Sequence, residues 1–275
     1  MGGKEITGRT GVWVHLAHPS AHVRATSTFN RAFRERGLDV VAVSSDVAPA
    51  DLPALVRGLR GWRNLAGIGV TMPHKEPIAA LCDEVVGLGK LIKSVNAIRR
   101  EPDGRLIGAN TDGSGFLAGL RQAGYDPAGK RTLLVGIGGA GRAIAFSLAE
   151  AGVADLTLSN RTVAKAQAVA AEVMAAFPAA SVEVGPPDPS GYDLVINATP
   201  LGMREGDPLP LNASKLTAKT AVAEIIIVPE RTRLLIEAER RGCRIHFGLP
   251  MLTCQIDEVI AFLQLDGFRV RGDLG

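Results

Sequence analysis

Leu134-Val135-Gly136-Ile137-Gly138-Gly139-Ala140-Gly141-Arg142-Ala143 decides how the rest of this chain is read. The apolar run 132–135 leading into it has the composition of a buried parallel strand. Residues 142–149, which follow it, have helical spacing. A strand, a glycine turn and a helix in that order form a cradle for a pyrophosphate. Glycines let backbone N–H groups approach the phosphates, and the helix N-terminus adds partial positive charge. About twenty residues on, where NAD-binding chains carry an acid, this chain reads Ser159-Asn160-Arg161-Thr162. An arginine there suits a 2′-phosphate, so the expected cofactor is NADP(H). An ordinary strand–helix turn has the same local pattern. The following strand, expected over 155–158, completes the unit and favours the nucleotide site.

Downstream of the loop, strands are predicted over 133–135, 155–158, 181–184, 194–196, 221–227 and 244–246. Helices fall between most of them, and a last helix is predicted over 251–264. This alternation predicts a doubly wound parallel sheet. Upstream, strands are predicted at 11–16, 40–43 and 65–70, and helices at 21–36, 50–58, 77–83 and 115–124. Two extended arms, 95–99 and 106–108, flank the turn signal Pro102-Asp103-Gly104. The expected fold class is therefore α/β. An N-terminal αβα substrate domain (1–111, joined by a C-terminal helix at about 250–275) precedes a Rossmann nucleotide-binding domain (112–249). The active site is expected in the interdomain cleft.

The 275 residues are 46% hydrophobic with few aromatics, which suits a helix-covered sheet built from Ala, Val, Leu and Ile. Net charge is only +3, and no basic stripe is interleaved with aromatics, so nucleic acid is not an expected partner. Cys82, Cys243 and Cys254 form no CxxC pair and no cluster with histidine. They read as buried thiols in a reducing compartment, with no metal site. The longest apolar run, 221–229, holds Glu224 and is strand-sized, so no membrane partner is expected. The residues after Met1 lack the apolar stretch of a signal peptide. The protein is expected in the cytoplasm, as a monomer or homodimer.

Taken in order, seven pieces of the chain resemble the shikimate/quinate dehydrogenase family. They are Val70-Thr71-Met72-Pro73-His74-Lys75, Ser94-Val95-Asn96-Ala97-Ile98, Asn110-Thr111-Asp112-Gly113, the glycine loop, Asn160-Arg161-Thr162, Asn197-Ala198-Thr199-Pro200-Leu201-Gly202-Met203, and the run from Gly248 through Met251 to Gln255. The resemblance spans nearly the whole chain. It implies hydride exchange between NADP(H) and a secondary alcohol of a small polyol carboxylic acid, nominally shikimate and its ketone. Lys75 and Asp112 are then the catalytic pair, and Thr71, Asn96 and Gln255 bind substrate hydroxyls. Neutral amides suit a polyol because they donate and accept without forcing a charge into the site. The cofactor residues implied are Gly136, Gly138, Gly139, Ala140, Gly141, Arg142, Asn160, Arg161, Thr162, Lys165, Thr199, Pro200, Leu201, Met203, Gly248 and Met251.

Without the resemblance, Lys75 reads as a surface lysine, Asp112 as a turn aspartate, and Met203 and Met251 as core residues. Two other classes compete. A methylenetetrahydrofolate dehydrogenase/cyclohydrolase shares the two-domain plan and a Lys/Asp pair, but the Asn-Thr-Asp-Gly and C-terminal Gln signatures argue against it. A nucleotide-binding sensor with weakened catalysis is the other.

Three departures from the family bear on the substrate. The resemblance implies a Ser-x-Ser pair holding a carboxylate after the first strand. Anchoring on Pro19 and on Phe29-Asn30 puts Val23 and Ala25 in those places. Ile227 stands where a tyrosine is common, and Gly69 where an asparagine usually precedes Val-Thr. A buried carboxylate loses about 1–3 kcal/mol for each missing donor. Shikimate binding is thus expected to be weak unless Arg24, His22, Thr26 or Ser27 takes over. Thr26 and Ser27 are the expected substrate-binding hydroxyls. Quinate or an amino analogue is the alternative substrate.

Overall fold

A computed structural model of the protein describes residues 5–21 and 23–268. His22 and residues 269–275 of the predicted C-terminal segment lie outside them. The chain divides into two compact units, Met1–Thr111 with Ile256–Gly275, and Asp112–Gln255.

The first unit contains β1 (Gly11–Ala17), α1 (Ala25–Glu35), β2 (Val40–Asp46), α2 (Leu52–Leu59), β3 (Leu65–Val70), β4 (Glu84–Val85), α3 (Leu88–Ile92), β5 (Ala97–Arg100) and β6 (Leu106–Ala109). Its sheet order is β2-β1-β3-β5-β6-β4. β1 runs parallel to β2 and β3, and β5 runs antiparallel to β3 and β6. Side chains alternate between the two faces of a strand, and β1 uses both. Trp13 stacks on Phe29 of α1 at 4.6 Å and meets Phe33 edge-on at 6.3 Å. Val14 and Leu16 instead join Leu52, Val56 and Leu59 of α2 in a buried cluster with Ile68, Ile78 and Ile98. Helices on both faces give the expected αβα layering.

The helix predicted from residue 21 begins only at Ala25. Pro19 and a competing carboxylate hold the preceding segment in a loop. Asp46 at the end of β2 is bonded to His18 Nδ1 at 2.7 Å and accepts from the Ser20 N–H at 2.9 Å. Those two donors, the backbone one foremost, hold its carboxyl below the usual range.

The second unit contains α4 (Asp112–Gln122), β7 (Arg131–Val135), α5 (Gly139–Glu150), β8 (Asp155–Ser159), α6 (Val163–Ala176), β9 (Val182–Val184), β10 (Leu194–Asn197), β11 (Ala221–Glu224), α7 (Arg233–Arg240), β12 (Arg244–His246) and α8 (Leu249–Thr253). All six strands are parallel, in the order β12-β11-β10-β7-β8-β9. The chain winds outward in both directions from the β7/β10 pair, as a doubly wound Rossmann sheet does. Its core joins Leu133, Val195 and Val222 of the sheet to Leu234, Leu235 and Ala238 of α7.

Several boundaries differ from expectation; the helix predicted over 77–83 is only a 3-10 turn, Pro77–Leu81. The strand predicted over 221–227 ends at Glu224, because its neighbour β12 pairs only with Ala221, Val222 and Ala223. The helix predicted from 115 starts at Asp112. The helix predicted over 251–264 is two, α8 and, after a break at Cys254-Gln255, α9 (Ile256–Phe262) in the first unit. Residues 250–255 thus belong to the second unit, not the first. Packing explains this: a Cβ on Gly115 of α4 would lie 2.6 Å from the Met251 carbonyl of α8, so the helices are in backbone contact. Cys243 is buried as expected, but Cys82 and Cys254 are only partly so. Among the described residues, no helix is long and apolar enough to cross a membrane.

The same close approach occurs between α4 and α5. A Cβ on Gly113 would overlap Ser147 Oγ and sit 2.5 Å from the Ala143 carbonyl. Gly113→Ala is expected to cost about 1–3 kcal/mol by overpacking, measured as a fall in the urea midpoint. An unchanged midpoint would show that the two helices separate freely.

Candidate active site

In the first unit, the C-terminal ends of β1, β2 and β3 share one edge of the sheet, where α/β proteins place their ligands. Thr71 follows β3, and its N–H donates to the Leu16 carbonyl at 3.0 Å. Lys75 lies four residues on, half-buried. Its backbone is held on both sides: His74 is fully buried with Nε2 2.8 Å from the Val47 carbonyl, and the Lys75 carbonyl accepts from the Val95 N–H at 2.9 Å. Asn96 enters the same edge because β5 is antiparallel to β3, and its carbonyl accepts from the Val70 N–H at 2.8 Å. The Asn96 amide is oriented by Thr111. Its Oδ1 accepts from the Thr111 N–H at 3.0 Å, and its Nδ2 donates to Thr111 Oγ1 at 3.1 Å. Thr111 was not among the expected site residues, although it lies inside the Asn-Thr-Asp-Gly motif.

Thr26 and Ser27 part company. Thr26 Oγ1 is hydrogen-bonded to Ser44 Oγ of β2 at 2.5 Å, while the exposed Ser27 donates back to the Arg24 carbonyl at 2.9 Å. Thr26 therefore sits over the sheet, and Ser27 bonds back to the first turn of its own helix. Val23 and Ala25 are half-buried beside them. Gly69 lies in register with His15. A Cβ at position 69 would come within 2.5 Å of His15 Nδ1 and overlap the Trp13 ring. The two β1 side chains already fill the volume that a side chain at 69 would need.

In the second unit the glycine loop separates into two jobs. Gly136 has φ +99°, and a Cβ on it would strike Thr199 Cγ2 at 2.6 Å; a Cβ on Gly141 would overlap the Gly136 carbonyl. These two glycines permit the turn and close packing. Gly138 and Gly139 have open space where a Cβ would stand. They begin α5 without any side-chain cap, so the first N–H groups of this helix suit a pyrophosphate. Asn160, expected at the 2′-phosphate, instead braces the loop: its Oδ1 accepts from the Ile137 N–H at 3.1 Å, and its Nδ2 donates to the Thr162 carbonyl at 3.0 Å. Arg142, expected at the phosphates, pairs with Glu172 of α6 at 2.5 Å and lies over the Phe146 ring. This ion pair between α5 and α6 satisfies its charge within the fold. Arg161, Thr162 and Lys165 are exposed after β8, available to a 2′-phosphate.

The segment 197–203 is shaped by a buried carboxylate. Glu224, fully buried, accepts from Asn197 Nδ2 at 3.0 Å and from Thr232 Oγ1 at 2.9 Å. Asn197 Oδ1 in turn accepts from the Thr199 N–H and hydroxyl at 3.0 and 2.7 Å. Thr199, Pro200, Leu201 and Met203 follow from this anchor. Met203 is 56% exposed, which removes its reading as a core residue; Met251 is half-buried, and Gly248 packs against the Ile225 and Ile226 backbone. Gln255 is buried, with Nε2 donating to the Met251 carbonyl at 2.9 Å. The network of Glu224, Asn197 and Thr232 was missed in the sequence; a lone acid within the apolar run 221–229 was its only signal.

Burial pushes the Glu224 carboxyl up to about 7, against the pull of its donors. The folded state then binds the proton more tightly than the unfolded state. This contribution to stability is complete below the ordinary glutamate value and is lost as pH rises through about 7. Relative to Glu224→Gln, the wild type is expected to lose on the order of 3 kcal/mol between about pH 5 and about pH 8. Chemical denaturation of both proteins at the two pH values reads the difference. A parallel pH dependence would mean that Glu224 does not titrate in this range.

Family comparison agrees with this geometry. The model described as "Shikimate dehydrogenase substrate binding domain" matches residues 16–98, and that described as "Shikimate / quinate 5-dehydrogenase" matches 120–200. The shikimate dehydrogenase (NADP(+)) of Moorella thermoacetica is 40% identical over 260 residues, 91% of this chain and 87% of its own length. That of Rubrobacter xylanophilus is 38% identical over 244 residues, 86% of this chain and 84% of its own. Among solved structures, the 5-ketofructose reductase of Gluconobacter sp. strain CHM43 superposes with a TM-score of 0.85 at 32% identity, covering 96% of this chain and 95% of its own. With the αβα unit, the doubly wound sheet and the ordered motifs all accounted for, the chain belongs to the shikimate dehydrogenase family of oxidoreductases.

Proposed function

We propose that the protein interconverts a secondary alcohol of a small polyol and its ketone, with NADP(H) as cofactor and with Lys75 and Asp112 handling the hydroxyl proton. Bound to the second unit, the oxidised cofactor supplies the hydride acceptor and the reduced cofactor the hydride donor. Lys75 Nζ takes the proton from the hydroxyl oxygen in oxidation and returns it in reduction; as an ammonium it also stabilises a developing alkoxide. Asp112, buried in the first turn of α4, balances that charge and accepts a hydrogen bond from a second substrate hydroxyl. Thr71, Asn96 and Gln255 orient the other hydroxyls. N–H groups at Gly138 and Gly139 hold the pyrophosphate, Arg161 and Lys165 the 2′-phosphate, and the segment from Thr199 to Met203, with Gly248 and Met251, the nicotinamide.

The observation that carries this reading is the convergence of Thr71, Lys75 and Asn96 at one strand edge, each fixed through its backbone. Shikimate, named for the Moorella and Rubrobacter relatives, is the reference substrate; Val23, Ala25 and Ile227 predict that it binds weakly. The Gluconobacter likeness supports testing uncharged ketoses beside it. NADPH absorbance followed with shikimate, quinate and uncharged polyols or ketoses tests the reaction. Cofactor-linked turnover of at least one is expected. NADPH binding without turnover of any would instead indicate a nucleotide-binding sensor.

A further inference from the structure

We infer that the substrate carries no carboxylate: the strand edge that holds Lys75 is furnished for an uncharged polyhydroxylated ketone or alcohol. The inference rests on the reading above and names the substrate class of the same site. Ser44, His15 and Gly69 lie in register across β2, β1 and β3, and alternation puts Thr71 on the same face two residues nearer the edge. Thr26 of α1 closes over this row through its bond to Ser44. The row offers hydroxyls and an imidazole, groups that exchange donor and acceptor roles with sugar-like hydroxyls.

The charges at this edge argue in the same direction. Val23 and Ala25, where the chain turns into α1, offer no donor side chain. Asp46, ending β2, already takes up the Ser20 N–H and the His18 ring, so these two groups are not free to hold a second carboxylate. Lys75 is committed to the reacting oxygen. Among the described residues of the turn, Arg24 is exposed, where solvent screening weakens an ion pair.

Calorimetric binding to the NADP(H)-loaded protein, followed by turnover, tests the inference on two matched sets. Shikimate and quinate form the acid set; inositols, ketohexoses and diketohexoses form the uncharged set. The best uncharged compound is expected to bind at least about tenfold more tightly than either acid. In Val23→Ser/Ala25→Ser, two added hydroxyls are expected to tighten shikimate or quinate about tenfold, the yield of about one charge-assisted hydrogen bond. Tighter binding of shikimate or quinate by the wild type overturns the inference, and Arg24→Ala then tells whether that guanidinium is the partner. Failure of every uncharged compound to bind also overturns it. Ranked binding without turnover would instead count against the catalytic reading.

Discussion

Lys75→Met is expected to lower kcat by about 10²- to 10⁴-fold, the usual contribution of a positioned acid–base group. The substitution keeps a stem of similar length and removes only the ammonium, so the half-buried packing of the segment survives. Backbone anchors on either side, the buried His74 ring at the Val47 carbonyl and the Lys75 carbonyl at the Val95 N–H, do not involve the altered atoms. Cofactor binding, assigned to the second unit, is expected to stay at the wild-type level. Steady-state rates and NADPH fluorescence titration measure the two separately. A variant retaining more than about a tenth of wild-type kcat would leave too little rate effect for proton transfer by Lys75. A loss of NADPH affinity equal to the loss of rate would point to structural damage instead.

Arg161→Asp is expected to invert cofactor choice. Losing a charge-assisted contact to a 2′-phosphate costs about 1.5–3 kcal/mol, and each 1.4 kcal/mol is tenfold. The new carboxylate also repels the phosphate while accepting a bond from a free 2′-hydroxyl. The ratio of kcat/KM for NADPH over NADH is therefore expected to fall by about 10²-fold or more. Lys165→Ala, which removes one cation without adding an anion, is expected to produce a smaller fall in the same direction. A ratio that Arg161→Asp leaves unchanged would exclude Arg161 from phosphate recognition; its exposure in the structure would then be that of any surface arginine.

Much of the architecture was legible because period and punctuation coincide. Leu65–Val70 and Arg244–His246 emerge at their predicted ends, since apolar runs there are bounded by turn residues. The glycine loop was legible because few backbone paths need glycine at Gly136 and Gly141 together. Less legible was whatever depends on partners distant in sequence. The helix after Gly248 breaks because α8 is drawn onto α4 by glycines at 115 and 119, more than a hundred residues earlier. Asn160 and Arg142 were assigned by motif position to phosphates, yet their side chains answer to Ile137 and Glu172. A motif specifies where a residue stands; the competing donors and anions around it decide what its side chain touches.

The crowding over Gly69 also limits the order in which this site can change. An asparagine there collides with Trp13 and His15, yet Trp13 is held by its stack on Phe29. An asparagine introduced at position 69 alone is therefore expected to destabilise the fold by overpacking. Room has to be made on β1 first, at a cost in packing, before the asparagine becomes tolerable. The two changes are non-additive, so the side chains that position 69 accepts depend on what β1 carries at Trp13 and His15.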